Sequence, residues 1–250
     1  MQWAQRRKVF IALSIAASGA LVCGALWFGL FYRAPSCTDG VQNNDERGVD
    51  CGGSCARLCA VPRVDPLWAR AVRVADGVYH GVALIRNPEQ GASGTDIEYR
   101  YSLYDAQGIL VAERRGALTL QPNEVRVLFE SSIITGSQRP VRAVVSLNGG
   151  EWERGTRDAS TVSVIPGVLD SGARTLTATL VNDTPLDVRN VVANALLFDS
   201  DGILVTASET RVPLLRARSR TEVVFTWIEP FARPIGTTDV LVREDDARRN

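Results

Sequence analysis

The feature that most constrains this chain is an apolar run near its beginning. Val9 to Tyr32 reads VFIALSIAASGALVCGALWFGLFY and contains no charged side chain. At about 1.5 Å per helical residue the run is roughly 36 Å long, which exceeds the hydrocarbon thickness of a bilayer, about 30 Å. It therefore predicts one transmembrane helix over residues 9–32, after a short N-terminus of residues 1–8.

The charges beside this run predict its orientation. Arg6, Arg7 and Lys8 precede it, whereas only Arg33 follows closely. Because basic residues stay on the cytoplasmic side, we expect a cytoplasmic N-terminus, with residues 33–250 outside the cytoplasm.

A cleaved signal peptide and a lipoprotein signal are the alternatives to an anchor. Cleavage near Ala17–Ala20 would leave a long apolar stretch at the start of the mature chain, and cleavage after Ala34 has poor flanking residues. Cys23 follows Val22, where a lipoprotein signal needs a small residue. The pattern favours an uncleaved anchor.

Composition excludes several classes of function. The 28 basic and 28 acidic side chains give a formal charge of zero, which argues against a nucleic-acid partner. His80 is the only histidine, which argues against most zinc sites, and no Ser or Cys motif lies around it, so no catalytic triad is predicted. The residues after the anchor suffice for two domains of about 100 residues each.

A cysteine-rich neck is predicted over residues 33–61. Its four cysteines favour two disulfide bonds in an oxidising compartment, with all three pairings open. A zinc site of four thiolates is the alternative, although the spacing lacks the usual paired knuckles. The cysteines are Cys37, Cys51, Cys55 and Cys59.

The neck also carries oxygen-bearing side chains that could bind calcium. They are Asp39, Asn43, Asp45, Glu46 and Asp50. Calcium needs six to eight oxygen ligands, but this spacing differs from the helix–loop–helix calcium pattern, and the same residue types also build solvated turns. No other cofactor is predicted.

The segment Cys37 to Cys55 resembles a cysteine-rich motif of secreted and surface proteins, C-x-D-G-x-x-N-x-x-E-x-G-x-D-C-G-G-x-C-x-x-C. The chain departs from it only at the end, where three residues instead of two precede Cys59. The resemblance implies an extracytoplasmic location and no particular chemistry.

From about Val61 the sequence alternates between apolar and polar residues, as strands do, and the pattern occurs twice. YSLYDAQGILV at Tyr101–Val111 matches ALLFDSDGILV at Ala195–Val205, 94 residues later. Earlier blocks also match and share Asn87 and Asn182. We therefore expect a tandem duplication, with domains over residues 62–155 and 156–250.

About seven short strands in each copy predict two tandem immunoglobulin-like antiparallel β-sandwiches, an all-β fold behind the helix and neck. They include separate strands near Ile109–Arg115 and Ala117–Leu120 in the first copy, and near Ile203–Ser208 and Val212–Leu215 in the second. Asp105 and Asp199 should accept hydrogen bonds from backbone amides in equivalent hairpin turns.

The block at Tyr101–Val111, followed by L-x-L-x-P-N-E and ending at Phe129, resembles the FxLYD-type domain of bacterial and archaeal envelope proteins. The second copy departs from it, with Ala195 and Phe198 at the two aromatic positions. The resemblance implies a non-catalytic module outside the cytoplasm, in a bacterial-type plasma (inner) membrane protein.

These observations predict a non-catalytic scaffold or interaction protein of the cell envelope, with other envelope proteins as partners through exposed sheet edges. Trp152, among polar residues near the domain junction, is the predicted surface contact, or else packs one sandwich on the other. A calcium or ligand sensor and a membrane-tethered hydrolase are the alternatives. Scattered acids such as Glu151, Glu153 and Asp158, together with Glu244 and Asp245, form no catalytic motif.

Overall fold

The computed structural model describes residues 2–31, 36–156 and 161–244. The first strands are β1 (Pro66–Ala75), β2 (Val78–Arg86), β3 (Ala92–Tyr104), β4 (Leu110–Leu120), β5 (Val125–Ile134), β6 (Arg142–Asn148) and β7 (Glu151–Arg154). The remaining strands are β8 (Val162–Asp170), β9 (Thr175–Asn182), β10 (Val188–Phe198), β11 (Leu204–Leu215), β12 (Ser219–Thr226) and β13 (Thr237–Glu244). Within these described residues the one helix is α1 (Gln2–Phe31).

Helix α1 contains a segment, Arg7–Gly29, that is long and apolar enough to cross a membrane, and none of that segment is buried against protein. Its serines satisfy their hydroxyls within the helix, because Ser14 donates to the Phe10 carbonyl at 2.9 Å and Ser18 to the Ser14 carbonyl at 2.8 Å. The predicted apolar N-terminal helix is confirmed. Its length and composition suit both an anchor and a signal peptide.

The strands form four antiparallel sheets, which we number in stacking order. Sheet I has the order β4-β3-β6, with β7 also paired to β3, and sheet II has the order β1-β2-β5. Sheet III has the order β11-β10-β13, and sheet IV has the order β12-β9-β8. Sheets I and II form the first sandwich and sheets III and IV the second, which confirms the predicted all-β fold class.

Each sandwich encloses its own apolar core. In the first, the alternation of β3 sends Ile97, Tyr101 and Leu103 inward, each at most 2% exposed. The Tyr101 hydroxyl donates to the carbonyl oxygens of Arg70 at 2.7 Å and Val82 at 3.1 Å, so its buried oxygen is satisfied. In the second sandwich the core includes Leu176, Leu180, Val191, Ala193, Ala195, Leu197, Leu215 and Phe225.

Two strands are longer than the sequence pattern predicts. Strand β4 is continuous through Gly116, which was expected to separate two strands. Gly116 pairs with Tyr99, and a Cβ at this position would lie 2.4 Å from the Tyr99 hydroxyl oxygen, so the glycine makes room for a ring and not for a turn. Strand β11 likewise runs unbroken, because Thr210 and Arg211 pair with β10 in register.

The repeated Asp and Asn residues form equivalent hydrogen bonds in the two sandwiches. Asp105 Oδ1 accepts from the amide of Ile109 at 2.8 Å, and Asp199 Oδ1 from the amide of Ile203 at 2.9 Å, which confirms the predicted turns. The side-chain amides of Asn87 and Asn182 are fully buried, and each donates to backbone carbonyls of neighbouring loops.

The two sandwiches pack through a third apolar cluster, which we call the joint cluster. Its members on sheet II are Trp68, Val72, Val82, Leu84, Val127 and Phe129. Its members on sheet III are Leu196, Phe198, Leu204, Ala207 and Leu241. The rings of Trp68 and Phe198 meet edge to face, with centroids 6.4 Å apart. Sheets II and III are therefore covered on both faces, and the stacking order is I, II, III, IV.

Candidate interaction surface

The four cysteines of the neck are all disulfide-bonded. Cys37 pairs with Cys55, with their Cα atoms 5.6 Å apart, and Cys51 and Cys59 are also disulfide-bonded. The predicted disulfides are confirmed, and a zinc site of four thiolates is wrong. The Glu46 carboxylate lies beside the Cys37–Cys55 bond, but sulfur atoms bonded to each other offer no thiolate ligand to a metal.

Asp39 and Asp50 hold one end of this segment together. The Asp50 carboxylate accepts from the backbone amides of Asp39 at 3.0 Å and Gly40 at 3.0 Å. Asp39 in turn accepts from the Val41 amide at 3.0 Å and from the Asn43 side chain at 2.8 Å. These carboxylates replace the missing strand or helix partners of a loop that has neither.

Glu46 and Asp45 accept hydrogen bonds from other residues of the same cysteine-rich segment. Glu46 is 8% exposed and accepts from the Asn43 amide at 3.1 Å, while Asp45 accepts from the Ser54 hydroxyl at 2.7 Å. Gly53 has a positive φ of 55° and packs so closely on the Asp45 carbonyl that a Cβ would lie 2.1 Å from its oxygen. The five predicted calcium ligands therefore share one loop. Their hydrogen bonds within that loop already give them a structural role, and calcium binding stays a prediction.

Trp152 is not a surface contact, and that prediction is wrong. Its side chain is 2% exposed and belongs to the core of the first sandwich, where its indole N–H donates to the Gly149 carbonyl at 3.2 Å. The reason is an additional pairing that the sequence pattern does not reveal. Strand β7 lies between β3 and a short extended segment, whose Leu58 amide donates to the Trp152 carbonyl at 2.7 Å. Packing between the sandwiches falls instead to the joint cluster.

The acids considered for catalysis are spread over the fold. Glu151 and Glu153 are exposed on β7, and Glu244 ends β13, where it accepts from the Thr161 hydroxyl. Asp158 and Asp245 lie outside the described residues.

The outward face of sheet I carries a surface that the sequence reasoning did not single out, and we call it the open face. Its outermost row consists of Leu110, Tyr104 and Arg142 on three neighbouring strands. Leu110 is 48% exposed, and the Arg142 guanidinium lies 4.8 Å from the centroid of the Tyr104 ring. An arginine stacked on a half-buried tyrosine, beside exposed aliphatic side chains, is a residue combination enriched in protein interfaces.

The next rows of the open face combine a small side chain with a charge network. Ser102 and Val144 share a row with Glu113, whose carboxylate contacts Arg115 at 2.7 Å and Arg100 at 3.7 Å. The hydrogen bond from Arg115, aided by the charge of Arg100, lowers the pKa of Glu113 below its usual value. Two arginines thus surround one carboxylate, and Val144 remains 40% exposed.

The tip of sheet I extends the open face with two more exposed aliphatic side chains. Ile109 is 59% exposed and Val141 is 68% exposed. The Asp105 turn holds the Ile109 backbone, and the Val141 amide donates to the Tyr104 carbonyl at 2.8 Å, so both lie next to the Tyr104 row. Arg139 is exposed in the same loop as Val141, and Arg142 begins β6; no described acidic side chain forms a salt bridge with either.

Comparisons with known proteins give no family for this chain. No protein-family model matches it, and no curated protein matches it. A β-glucuronidase of Bacteroides uniformis is similar over 68% of this chain and 25% of its own, with a TM-score of 0.25 and 12% identity. A transglutaminase of red sea bream is similar over 73% of this chain and 29% of its own, with a TM-score of 0.22 and 10% identity. The chain spans under a third of these proteins, and likenesses this low carry no inference about activity.

Proposed function

We propose that this protein is a membrane-anchored, non-catalytic scaffold that presents binding surfaces to other proteins of the cell envelope. The observation that carries the proposal is the succession of a fully exposed apolar helix and a neck whose cysteines are all disulfide-bonded. Disulfides persist in oxidising compartments, so the neck and the strands that follow belong outside the cytoplasm.

The orientation and the uncleaved anchor are part of this proposal. Arg7 and Lys8 stand at the cytoplasmic end of α1, in agreement with the positive-inside rule. Cleavage inside the helix would leave apolar residues such as Trp27 and Phe28, which are exposed in the structure, without a lipid environment. We therefore assign residues 9–32 to a single span in a bacterial-type inner membrane.

The binding role is supported by the arrangement of the sheets. The strand order is the same in both sandwiches, which supports a duplicated module of the FxLYD type. The joint cluster buries the facing surfaces of sheets II and III, whereas the outward face of sheet I carries exposed aliphatic residues such as Leu110 and Val144. Its edge strand β4, which pairs only with β3 among the described strands, adjoins that face.

Reporter fusions to the full chain test the location. An alkaline phosphatase fused after Asn250 should be active and a fluorescent protein fused there should be dark, while a fluorescent protein at the N-terminus should be bright. Replacing Arg6, Arg7 and Lys8 by Glu should reduce the phosphatase signal. A bright C-terminal fluorescent fusion, or a mature chain shortened by about 20 residues in mass spectrometry, would contradict the proposal.

A second candidate is calcium-dependent stiffening of the neck in a sensor. One observation favours it: the Asn43 Oδ1 atom is buried and accepts no hydrogen bond from the described residues, and four carboxylates share its loop. Calorimetry of the full chain in detergent should then show a melting temperature that rises in millimolar calcium and falls with chelator. The Asp39→Asn and Asp50→Asn variants should lose the response, and an unchanged melting temperature of the wild type would remove this candidate.

A further inference from the structure

From the open face of sheet I we infer a specific class of occupant, and this inference rests on the proposed binding role. We propose that this face binds a segment of a partner protein that combines acidic residues with aliphatic or aromatic ones. The recognition elements are the apolar strip of Leu110, Tyr104 and Val144 with the arginines beside it.

The apolar half of the argument comes from exposure. Ile109, Leu110, Val141 and Val144 are between 40% and 68% exposed, and all four lie in the Tyr104 row, in the next row or in the adjoining loops at one end of one sheet. Isolated exposed aliphatic residues are ordinary on protein surfaces, but a contiguous group beside an aromatic ring marks an interaction site.

Charge complementarity supplies the other half. Glu113 accepts a hydrogen bond from Arg115 and forms a longer ion pair with Arg100, so these two cations share one anion, and Arg142 is stacked on Tyr104. Arg139 adds another cation at the tip, where the Asp105 carboxylate accepts from the Ile109 amide. Glu98 lies on the same face of β3 as Arg100. The four arginines thus outnumber the three carboxylates of this region by one. A partner with carboxylates would neutralise this excess, and arginine is suited to bind carboxylates in bidentate geometry.

The second sandwich shows what the equivalent face binds. Phe198 and Leu204 pair in the same register as Tyr104 and Leu110, and they pack against sheet II in the joint cluster. This kind of face therefore already covers a protein surface in the same chain. In the first sandwich the equivalent surface is uncovered in the described structure, and its arginines change the chemistry of the expected partner.

A symmetric dimer through the open face is less suited to these charges. It would bring the arginines of two copies together, and like charges at close range oppose association. An anionic membrane would match the arginines, but the aliphatic side chains extend along the sheet face to Val144 as well as at its tip.

The test is selection of peptides from a phage-displayed random library on the full chain in nanodiscs of neutral lipid. We expect peptides with Asp or Glu beside aliphatic or aromatic residues. Leu110→Asp should weaken their binding about tenfold or more, and Arg142→Ala several-fold. Raising the salt from about 50 to 500 mM should also weaken binding, since exposed charges are screened.

Val224→Asp is the matched control. Val224 lies on sheet IV and is 47% exposed, against 48% for Leu110, so both changes place a charge on an exposed strand position. Binding should survive this change. Circular dichroism of each variant should match the wild type, and Tyr104→Ala provides a second variant on the open face if Leu110→Asp fails to fold.

Several outcomes would overturn the inference. The first two are selected peptides without an acidic excess and peptide binding that survives Leu110→Asp in a folded protein. The other two concern binding that depends on Leu110: the inference is wrong if the only binding of this kind is cosedimentation with anionic but not neutral vesicles, or self-association of the chain. Each of these concerns the surface alone and leaves the location tested by the fusions unaffected. A cytosolic C-terminus, in contrast, would contradict the proposed function and not this binding chemistry.

Discussion

The outward face of sheet I and the inward-packed face of sheet III differ at a few equivalent positions. Tyr104 and Leu110 of sheet I correspond to Phe198 and Leu204 of sheet III, each pair in the same register. Between them, sheet I has Ser102 opposite Glu113, where sheet III has Leu196 opposite Ala207.

The comparison shows how little change separates a solvated face from an interface. Leu196 is 1% exposed and Ala207 is 2% exposed in the joint cluster, so the face of sheet III excludes water. Glu113 keeps its charge through two arginines, and a charge network of this kind is costly to cover without a complementary partner. In sheet I a buried hydroxyl, Ser102 at 4% exposed, and a partly exposed carboxylate thus occupy the row that two apolar side chains fill in sheet III.

The largest expected effect comes from placing a charge in the joint cluster. Leu196→Asp should lower the free energy of unfolding by about 3–5 kcal/mol, because an unpaired carboxylate would be buried between the sandwiches. Leu110→Asp on the open face should cost under about 1 kcal/mol. Urea titration followed by tryptophan fluorescence measures both, and equal losses would break the comparison.

The aromatic pair gives the next effect. Phe198→Ala should cost about 2–3 kcal/mol, because it removes the ring that meets Trp68 and leaves a cavity between the sandwiches. Tyr104→Ala removes a ring that contacts Arg142 at the surface and should cost about 1 kcal/mol or less. The same urea titration applies, and the comparison is wrong if the tyrosine change is the more costly one.

Acidification should affect the joint cluster and the open face in different pH ranges. His80 Nδ1 accepts from the Ser132 amide at 3.1 Å, its ring lies 4.9 Å from that of Phe129 in the joint cluster, and burial lowers its pKa. The unfolded chain therefore binds a proton at His80 near pH 6.5 while the folded chain does not, so stability falls as the pH drops below about 6.5.

On the open face the pKa of Glu113 is lowered, so its stabilisation persists down to the acid range and is lost only as the pH falls through that lowered pKa. The urea midpoint, measured between pH 7.5 and 5, should decline in the wild type and decline less in His80→Gln. Identical slopes in the two proteins would contradict the assignment to His80.

The smallest expected effect concerns the ion pair between the sandwiches. Arg73 contacts Glu229 at 2.7 Å, but the side chains are 47% and 36% exposed. Water and salt screen such a pair, so Arg73→Gln should destabilise far less than Phe198→Ala. A double-mutant cycle with Glu229→Gln at low and high salt measures the coupling, which should fall as salt rises. A coupling that is large and independent of salt would contradict this ranking.

Local features of the fold follow from the sequence more readily than the contacts between sheets. The Asp105 and Asp199 turns are predictable because each aspartate bonds to amides only a few residues away. Gly116 is misleading, since its reason is the ring of Tyr99 on the adjacent strand. Trp152 is misleading in the same way, because the segment that pairs beside it lies far away in sequence.

The joint cluster leaves one readable signal in the sequence. Val82 to Ile85 and Ala195 to Phe198 are uninterrupted apolar runs, and a strand with one solvated face would alternate instead. These runs indicate burial on both faces. They do not identify the covering surface, which is why the open face could be recognised only by comparing two folded sheets.

The joint cluster has a consequence for recognition by any large partner. Two sandwiches connected by a linker alone would tumble separately, and a ligand touching both would have to arrest that motion at a cost in entropy. Here the freedom of one sandwich to move against the other is lost during folding, when Trp68 and Phe198 come into contact. A ligand that spans both sandwiches therefore meets a preorganised target, and its binding loses no affinity to fixing one sandwich against the other.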